Sequence, residues 1–321
     1  MKICLVTPAP RGSRKGNRIT AVRWGRILAG LGHRVIIAER YEGRRCDILI
    51  ALHALRSADS IRRYREARPD GPLVVTLTGT DLYGDIHTSD EARHSLEVAD
   101  RIVVLHRLAY LELPPHLHAR VRVIFQSVPD LARPVSHRED WFDVCVMGHL
   151  REVKDPFRTA LAARLLPPES RVRVWHLGSS LSEDMAETAR REMAENPRYR
   201  WLGERSHGKA MRLLARCRVL SLTSVSEGGA NAISEAIAVG VPVVGSRIAG
   251  SMGLLGEEYP GFFPVGDTAA LADLLGRCER EPTFLADLAA WCRALRPEFA
   301  PALERQRWQT LLEETIGGRK V

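Results

Sequence analysis

The chain has 321 residues and a formal net charge of +8; 45% of its residues are hydrophobic and 27% charged. At about 100–200 residues per domain that length predicts two domains, and the ordinary charged fraction excludes a disordered or fibrous chain. Basic and acidic side chains are interspersed without a block of like charge, so nucleic acid is not an expected partner, whereas a positive balance suits a cleft that attracts nucleotide diphosphates.

The six cysteines (Cys4, Cys46, Cys145, Cys217, Cys278 and Cys292) form no CxxC pair, and no histidine cluster stands beside them. This predicts free thiols in a reducing cytoplasm rather than a disulfide framework or a zinc site. The opening MKICLVTPAP is too short an apolar run for a signal peptide, and the longest apolar stretch, 236–245, is interrupted by Gly240 and Pro242. Nothing approaches the ~20 apolar residues of a membrane span, so a cytoplasmic protein without stable membrane insertion is expected.

Taken in order, residues 2–7 read as a short apolar strand, 8–18 as a loop rich in glycine and arginine, 20–31 as an amphipathic helix stopped by Gly32, and 34–38 as a strand. Strands follow at 47–52, 73–78, 101–105 and 121–124, with helices at 57–67 and 89–99. Apolar strands alternating with helices build parallel sheets. The proline-bearing, charged stretch 129–141 breaks the rhythm. A second series then begins, with strands at 142–147, 172–177, 199–202, 219–223 and 241–245 and an extended piece at 262–264. Its helices are expected at 156–165, 182–195, 207–216, 230–239, 268–280 and 282–295, and a last helix at 301–316 closes the chain. The fold class is therefore α/β, two tandem Rossmann-like doubly wound domains that would face an interdomain cleft. The expected boundaries are 1–130 for an N-terminal domain, 131–141 for a linker, 142–300 for a C-terminal domain, and 301–321 for a helix packing back toward the N-terminal domain.

The most informative stretch is SVSEGGANAISEA at 224–236, which follows a buried strand and opens a helix. Gly228 and Gly229 allow close backbone approach and positive φ, and the N–H groups of Gly229, Ala230 and Asn231 would point from a helix N-terminus, an anion site. Glu227 precedes the helix and Glu235 lies about one and a half turns into it, so both carboxylates can accept hydrogen bonds from sugar hydroxyls. After the first strand of the second series stands GHLREVKD at 148–155, a loop that carries two cations, Arg151 and Lys154.

Glu227 and Glu235 with seven residues between them, the preceding strand and the following AVGVPVVG at 238–245 together resemble the donor motif of GT-B glycosyltransferases of family 4. The resemblance extends over nearly the whole chain in domain order. It implies that Glu235 binds the donor ribose, that Glu227 and the backbone of Gly228–Asn231 contact the transferred sugar, and that Arg151 and Lys154 hold the diphosphate. The loop containing Gly203 and Arg205 occupies the family's position near the nucleoside. Transfer with retention is implied, with the nucleotide sugar a substrate and no cofactor or metal.

The N-terminal half departs from the family's average. The glycine loop, with Gly12, Gly16 and Asn17, is unusually cationic through Arg11, Arg14, Lys15 and Arg18, and Gln126-Ser127 stands where relatives usually have Asn-Gly. Gly16-Asn17-Arg18 with Arg23-Trp24, LHALRSA at 52–58, LTGTDLY at 77–83 and Gln126-Ser127 together resemble the selenosugar synthases of selenoneine biosynthesis. That resemblance implies transfer of an N-acetylhexosamine from a UDP donor to selenophosphate. Gly12, Gly16, Asn17, Arg18, His53, Arg56, Gly79, Thr80, Asp81, Gln126 and Ser127 would then contact the small anionic acceptor through charge-assisted donors. Three other readings stand beside it: an O-glycosyltransferase acting on a sugar or lipid, a UDP-sugar epimerase, and a nucleotide-sugar-binding module without activity.

Overall fold

The structure, a computed structural model, describes residues 1–13, 16–129 and 140–317. Arg14, Lys15 and all but the last two residues of the expected 131–141 linker lie outside the described residues. The chain divides into two compact units, Met1–Gln126 with Pro301–Val321, and Ser127–Ala300.

The first unit holds β1 (Lys2–Val6), α1 (Gly16–Gly30), β2 (Arg34–Ala38), β3 (Ile48–Leu52), α2 (Ala58–Ala67), β4 (Leu73–Thr76), α3 (Ile86–Thr88), α4 (Asp90–Glu97), β5 (Arg101–Val104) and β6 (Val121–Val123). Its strands form one parallel sheet in the order β2-β1-β3-β4-β5-β6. Side chains alternate between faces with period two, so β1 buries Ile3 and Leu5 on one side and Cys4 and Val6 on the other. Ala21, Trp24 and Leu28 of α1 cover the first face, and Ile61, Tyr64, Ala92 and Leu96 from α2 and α4 cover the second. Burial on both faces explains why the strands read as nearly unbroken apolar runs. The closing helix of the chain, α12 (Pro301–Gly317), packs on α1, with Trp24 and Trp308 edge to face at 4.8 Å and the Trp24 indole N–H donating to buried Glu304 at 2.9 Å.

The second unit holds β7 (Phe142–Met147), α5 (Arg158–Leu165), β8 (Val172–Leu177), α6 (Glu183–Glu195), β9 (Tyr199–Trp201), α7 (His207–Leu214), β10 (Val219–Leu222), α8 (Asn231–Val239), β11 (Val243–Ser246), α9 (Ala249–Leu255), β12 (Phe262–Phe263), α10 (Thr268–Arg280) and α11 (Pro282–Leu295). Its parallel sheet runs β12-β11-β10-β7-β8-β9. Helix starts follow local chemistry: Ser182 accepts from the Met185 amide and Asp267 from the Ala270 amide. Gly240, at φ 77°, ends α8 in the left-handed conformation.

Several expectations need correction. The helix expected from residue 20 begins at Gly16, so Gly16, Asn17 and Arg18 are its first turn rather than loop. The strand expected at 73–78 ends at Thr76, and a π-helical turn, Asp81–Asp85, runs from there into α3. Helix α9 lies where no element is expected, and burial of Leu254 and Leu255 outweighs the weak helix propensity of Gly250 and Gly253. All six cysteines are buried free thiols, and among the described residues no helix is long and apolar enough to cross a membrane.

Candidate active site

In each sheet the strand order reverses beside its first strand, between β1 and β3 and between β7 and β10. The loops leaving the carboxyl ends of strands at such a point splay apart, which opens a crevice for a ligand. In the second unit those loops are the two that carry the sequence-predicted donor residues.

The loop after β7 closes a short 3-10 turn, Glu152–Lys154, through bonds from the Lys154 amide to Arg151 O (2.9 Å) and from the Asp155 amide to Glu152 O (2.8 Å). The loop after β10 lies on it, with the Val225 amide donating to Val153 O at 2.9 Å. The Lys154 ammonium bonds Glu227 Oε1, and Ser224 Oγ donates to the same oxygen at 2.6 Å. Ser224 is itself held by Ser246 Oγ, which donates to Ser224 O at 2.5 Å. Glu227, only 10% exposed, thus sits between an ammonium and a hydroxyl that together compensate its burial. Backbone O of Glu227 would lie 2.1 Å from a Cβ on Gly250, so α9 approaches this loop too closely for any side chain there.

Helix α8 starts at Asn231 with Ala230 in the cap position. Ala230 offers no side-chain oxygen to the first-turn amides, and Asn231 Oδ1 is buried without a hydrogen-bond partner. Among the described residues the left-handed glycines do not include Gly228 or Gly229, so the expected positive-φ bend at this pair is absent and the chain turns with ordinary backbone. Glu235 stands in the second turn of α8, with His207 Nδ1 at 3.6 Å from its carboxylate. Arg151 is exposed at the rim of the loop.

On the other side of β7, Gly178 at φ 153° packs against the β7 loop; a Cβ there would fall 1.9 Å from Gly148 O. His176 is sealed beneath. Its Nε2 faces the Gly148 carbonyl at 3.1 Å, which can only accept, so Nε2 carries the proton and Nδ1 accepts from Tyr199 OH at 2.9 Å. Burial holds this imidazole neutral, with its pKa pushed down to about 4. Gly203, at φ 67°, accepts from the Gly178 amide at 3.0 Å, and Arg205 beside it is exposed.

In the first unit, His53 follows β3 with φ 76°, a left-handed conformation uncommon outside glycine. Its Nδ1 accepts from the Arg56 amide at 3.2 Å, which leaves the proton on Nε2, 3.0 Å from Thr80 Oγ1 and 3.6 Å from Asp85. Burial lowers the His53 pKa, against the opposing pull of Asp81 and Asp85. His53 is therefore neutral and does not supply the cation expected for an anionic acceptor. Asp81 is fully buried, and its two oxygens accept from the Thr78, Gly79 and Ala54 amides. Its carboxylate organises the turn. Thr80 and the Arg56 side chain are exposed beside this cluster. Gln126 is buried and donates to Thr20 Oγ1 at 2.7 Å, while Ser127 is buried and belongs to the second unit. Gly12 is left-handed at φ 86°. Sequence reasoning missed Ser224, Ser246 and Asp85; only the Thr223-Ser224 pair directly before the glutamate motif could have signalled the first of them.

Residues 129–290 match the family model described as "Glycosyl transferases group 1", half of the chain and all of the loops just described in the second unit. The chain belongs to the glycosyl transferases group 1 family. This family member is similar over 324 residues to "Glycosyltransferase 1 domain-containing protein 1" of Xenopus tropicalis, at 23% identity over 92% of this chain and 94% of that protein. Its fold is shared by Anabaena HepE in complex with UDP and glucose, with a TM-score of 0.76, 16% identity, and coverage of 98% and 100% of the two chains. It is also shared by the sucrose-phosphate synthase of Thermosynechococcus elongatus, with a TM-score of 0.77, 17% identity and 99% of both chains. The group 1 glycosyltransferase described here is thus an α/β protein of the GT-B class, with two Rossmann-like sheets.

Proposed function

We propose that this glycosyltransferase uses a UDP-N-acetylhexosamine as donor and selenophosphate as acceptor, forming a carbon–selenium bond with retention of configuration and with no metal or cofactor. The observation that carries the donor half is the gathering of the Lys154 ammonium and the Ser224 hydroxyl on Glu227, directly before the α8 N-terminus and at the strand-order reversal. An ammonium held just before a helix N-terminus matches an anionic leaving group. That UDP-bound HepE shares the fold supports the choice of nucleotide. In the reaction, selenium attacks the anomeric carbon as the bond to the β-phosphate oxygen breaks, and UDP leaves with the electron pair. Arg151, Lys154 and the Gly228–Asn231 backbone stabilise it, Glu227 faces the sugar, and Glu235 takes the ribose hydroxyls.

The acceptor half rests on the sequence stretches around His53, Thr80 and Gln126. A selenium nucleophile requires no strong general base, and His53 supplies none: Nδ1 is occupied by the Arg56 amide and Nε2 carries the proton. A second reading is favoured by Asp85, 3.6 Å from that neutral imidazole, which suits an uncharged hydroxyl acceptor and hence an O-glycosyltransferase. Incubation with UDP-N-acetylglucosamine and either selenophosphate or simple sugars, with products read by mass spectrometry, separates the two. A selenium-containing hexosamine supports the first reading; UDP release with hydroxyl acceptors alone refutes it.

A further inference from the structure

We infer that Thr223 is a positioning residue for the Lys154 ammonium, an inference that rests on the donor site proposed above. Thr223 is the first residue after β10 and is only 3% exposed. Its hydroxyl stands 2.9 Å from Lys154 O and 2.9 Å from Asp155 O, so one O–H is shared between two successive carbonyls. Successive carbonyls converge in this way because Asp155 has φ 43° and ψ 59°, a left-handed conformation that costs a residue other than glycine. The Thr223 hydroxyl compensates that conformation from inside the unit. From outside, Arg158 Nε bonds Asp155 Oδ2 at 2.7 Å, and Arg158 Nη1 bonds Thr268 Oγ1 at 2.7 Å.

The consequence reaches the site through one bond vector. Fixing the carbonyl of the Lys154–Asp155 peptide link and the one that follows it holds the backbone from which the Lys154 side chain leaves. A lysine is otherwise a flexible stem, and an ammonium aimed from a fixed Cα loses less freedom on meeting a phosphate. Thr223 is β-branched at a buried strand end, so a role in packing alone would be filled by valine, which has the same shape. The hydroxyl is the part that packing does not require.

The test is calorimetric titration of the full chain with UDP and, separately, with uridine, which lacks the diphosphate that Lys154 would meet. The variants are Thr223→Val, Thr223→Ser, Lys154→Ala, and the combination of Thr223→Val with Lys154→Ala. Loss of one orienting hydrogen bond predicts that Thr223→Val weakens UDP about tenfold and leaves uridine within about twofold. Thr223→Ser restores wild-type affinity for UDP, and the combined variant is no weaker than Lys154→Ala alone. Equal weakening of UDP and uridine, or additive losses in the combined variant, overturns the inference and leaves the donor site standing. So does a Thr223→Val protein that binds UDP normally while Lys154→Ala does not. If Lys154→Ala binds UDP like wild type, the donor site itself is wrong and the inference goes with it. Should the valine variant fail to fold, Thr223→Ala removes the same hydroxyl without bulk and carries the same comparison.

Discussion

Lowering the pH from 7 toward 4 should destabilise this protein through two buried histidines, one in each unit. His106, just after β5, is fully buried with its Nε2 at 2.8 Å from Tyr83 OH, and His176 is sealed between Tyr199 and Gly148. Burial pushes both pKa values down to about 4. The unfolded chain binds a proton on each near its ordinary pKa of about 6.5, so between those values the unfolded state holds protons that the folded state refuses. Stability is then fully present above about pH 6.5 and is lost as pH falls toward 4. Each histidine contributes about 2 kcal/mol of that loss at pH 5 and about 3 kcal/mol at pH 4. One such loss in each unit is a large share of the lower end of the roughly 5–15 kcal/mol by which a domain is stable. Urea unfolding at pH 7, 6, 5 and 4, with wild type, His106→Gln and His176→Gln, measures this. Each variant is expected to flatten the pH dependence of its own unit, with a residual slope from His53 and His149, whose pKa values burial also lowers. Unchanged slopes in both variants would refute the linkage.

Three further outcomes are expected. In the donor site proposed above Glu227 would face the transferred group and Arg151 the leaving phosphate, so Glu227→Gln and Arg151→Ala should each cut turnover of the UDP-sugar by about 10²–10³-fold while circular dichroism stays at wild type. Gly250→Ala places a methyl group 2.1 Å from Glu227 O, so it should displace the Glu227 loop, with donor turnover falling much further than the melting temperature. Gly178→Ala puts Cβ 1.9 Å from Gly148 O at φ 153°, and should destabilise the second unit by about 1–3 kcal/mol or more in urea unfolding.

The element pattern was legible because each sheet is covered on both faces. Strands such as 48–52 and 142–147 have nearly every side chain buried, so they stand out as apolar runs between amphipathic helices. The glutamate motif and the Arg151–Lys154 loop were legible for a related reason, since each lies directly after such a strand. Local grammar failed where a side chain far along the chain, or the backbone itself, sets the conformation. The π-helical turn at Asp81 depends on a carboxylate that gathers amides from Thr78, Gly79 and the distant Ala54. The turn at Gly228 and Gly229 shows the reverse: two glycines that permit left-handed backbone do not adopt it.

The sequence by itself therefore determined the two α/β series, the loops that follow their strands, and the residue types offered there, because hydrophobic period and strand–loop order are local properties. Only the tertiary structure decided the state of each polar group. The Asp81 carboxylate is consumed inside its turn, and His53 is neutral with its proton on Nε2. Glu227 sits between an ammonium and a hydroxyl carried on two different loops. Burial and hydrogen-bond partners depend on segments far apart in the chain, and no local pattern records them.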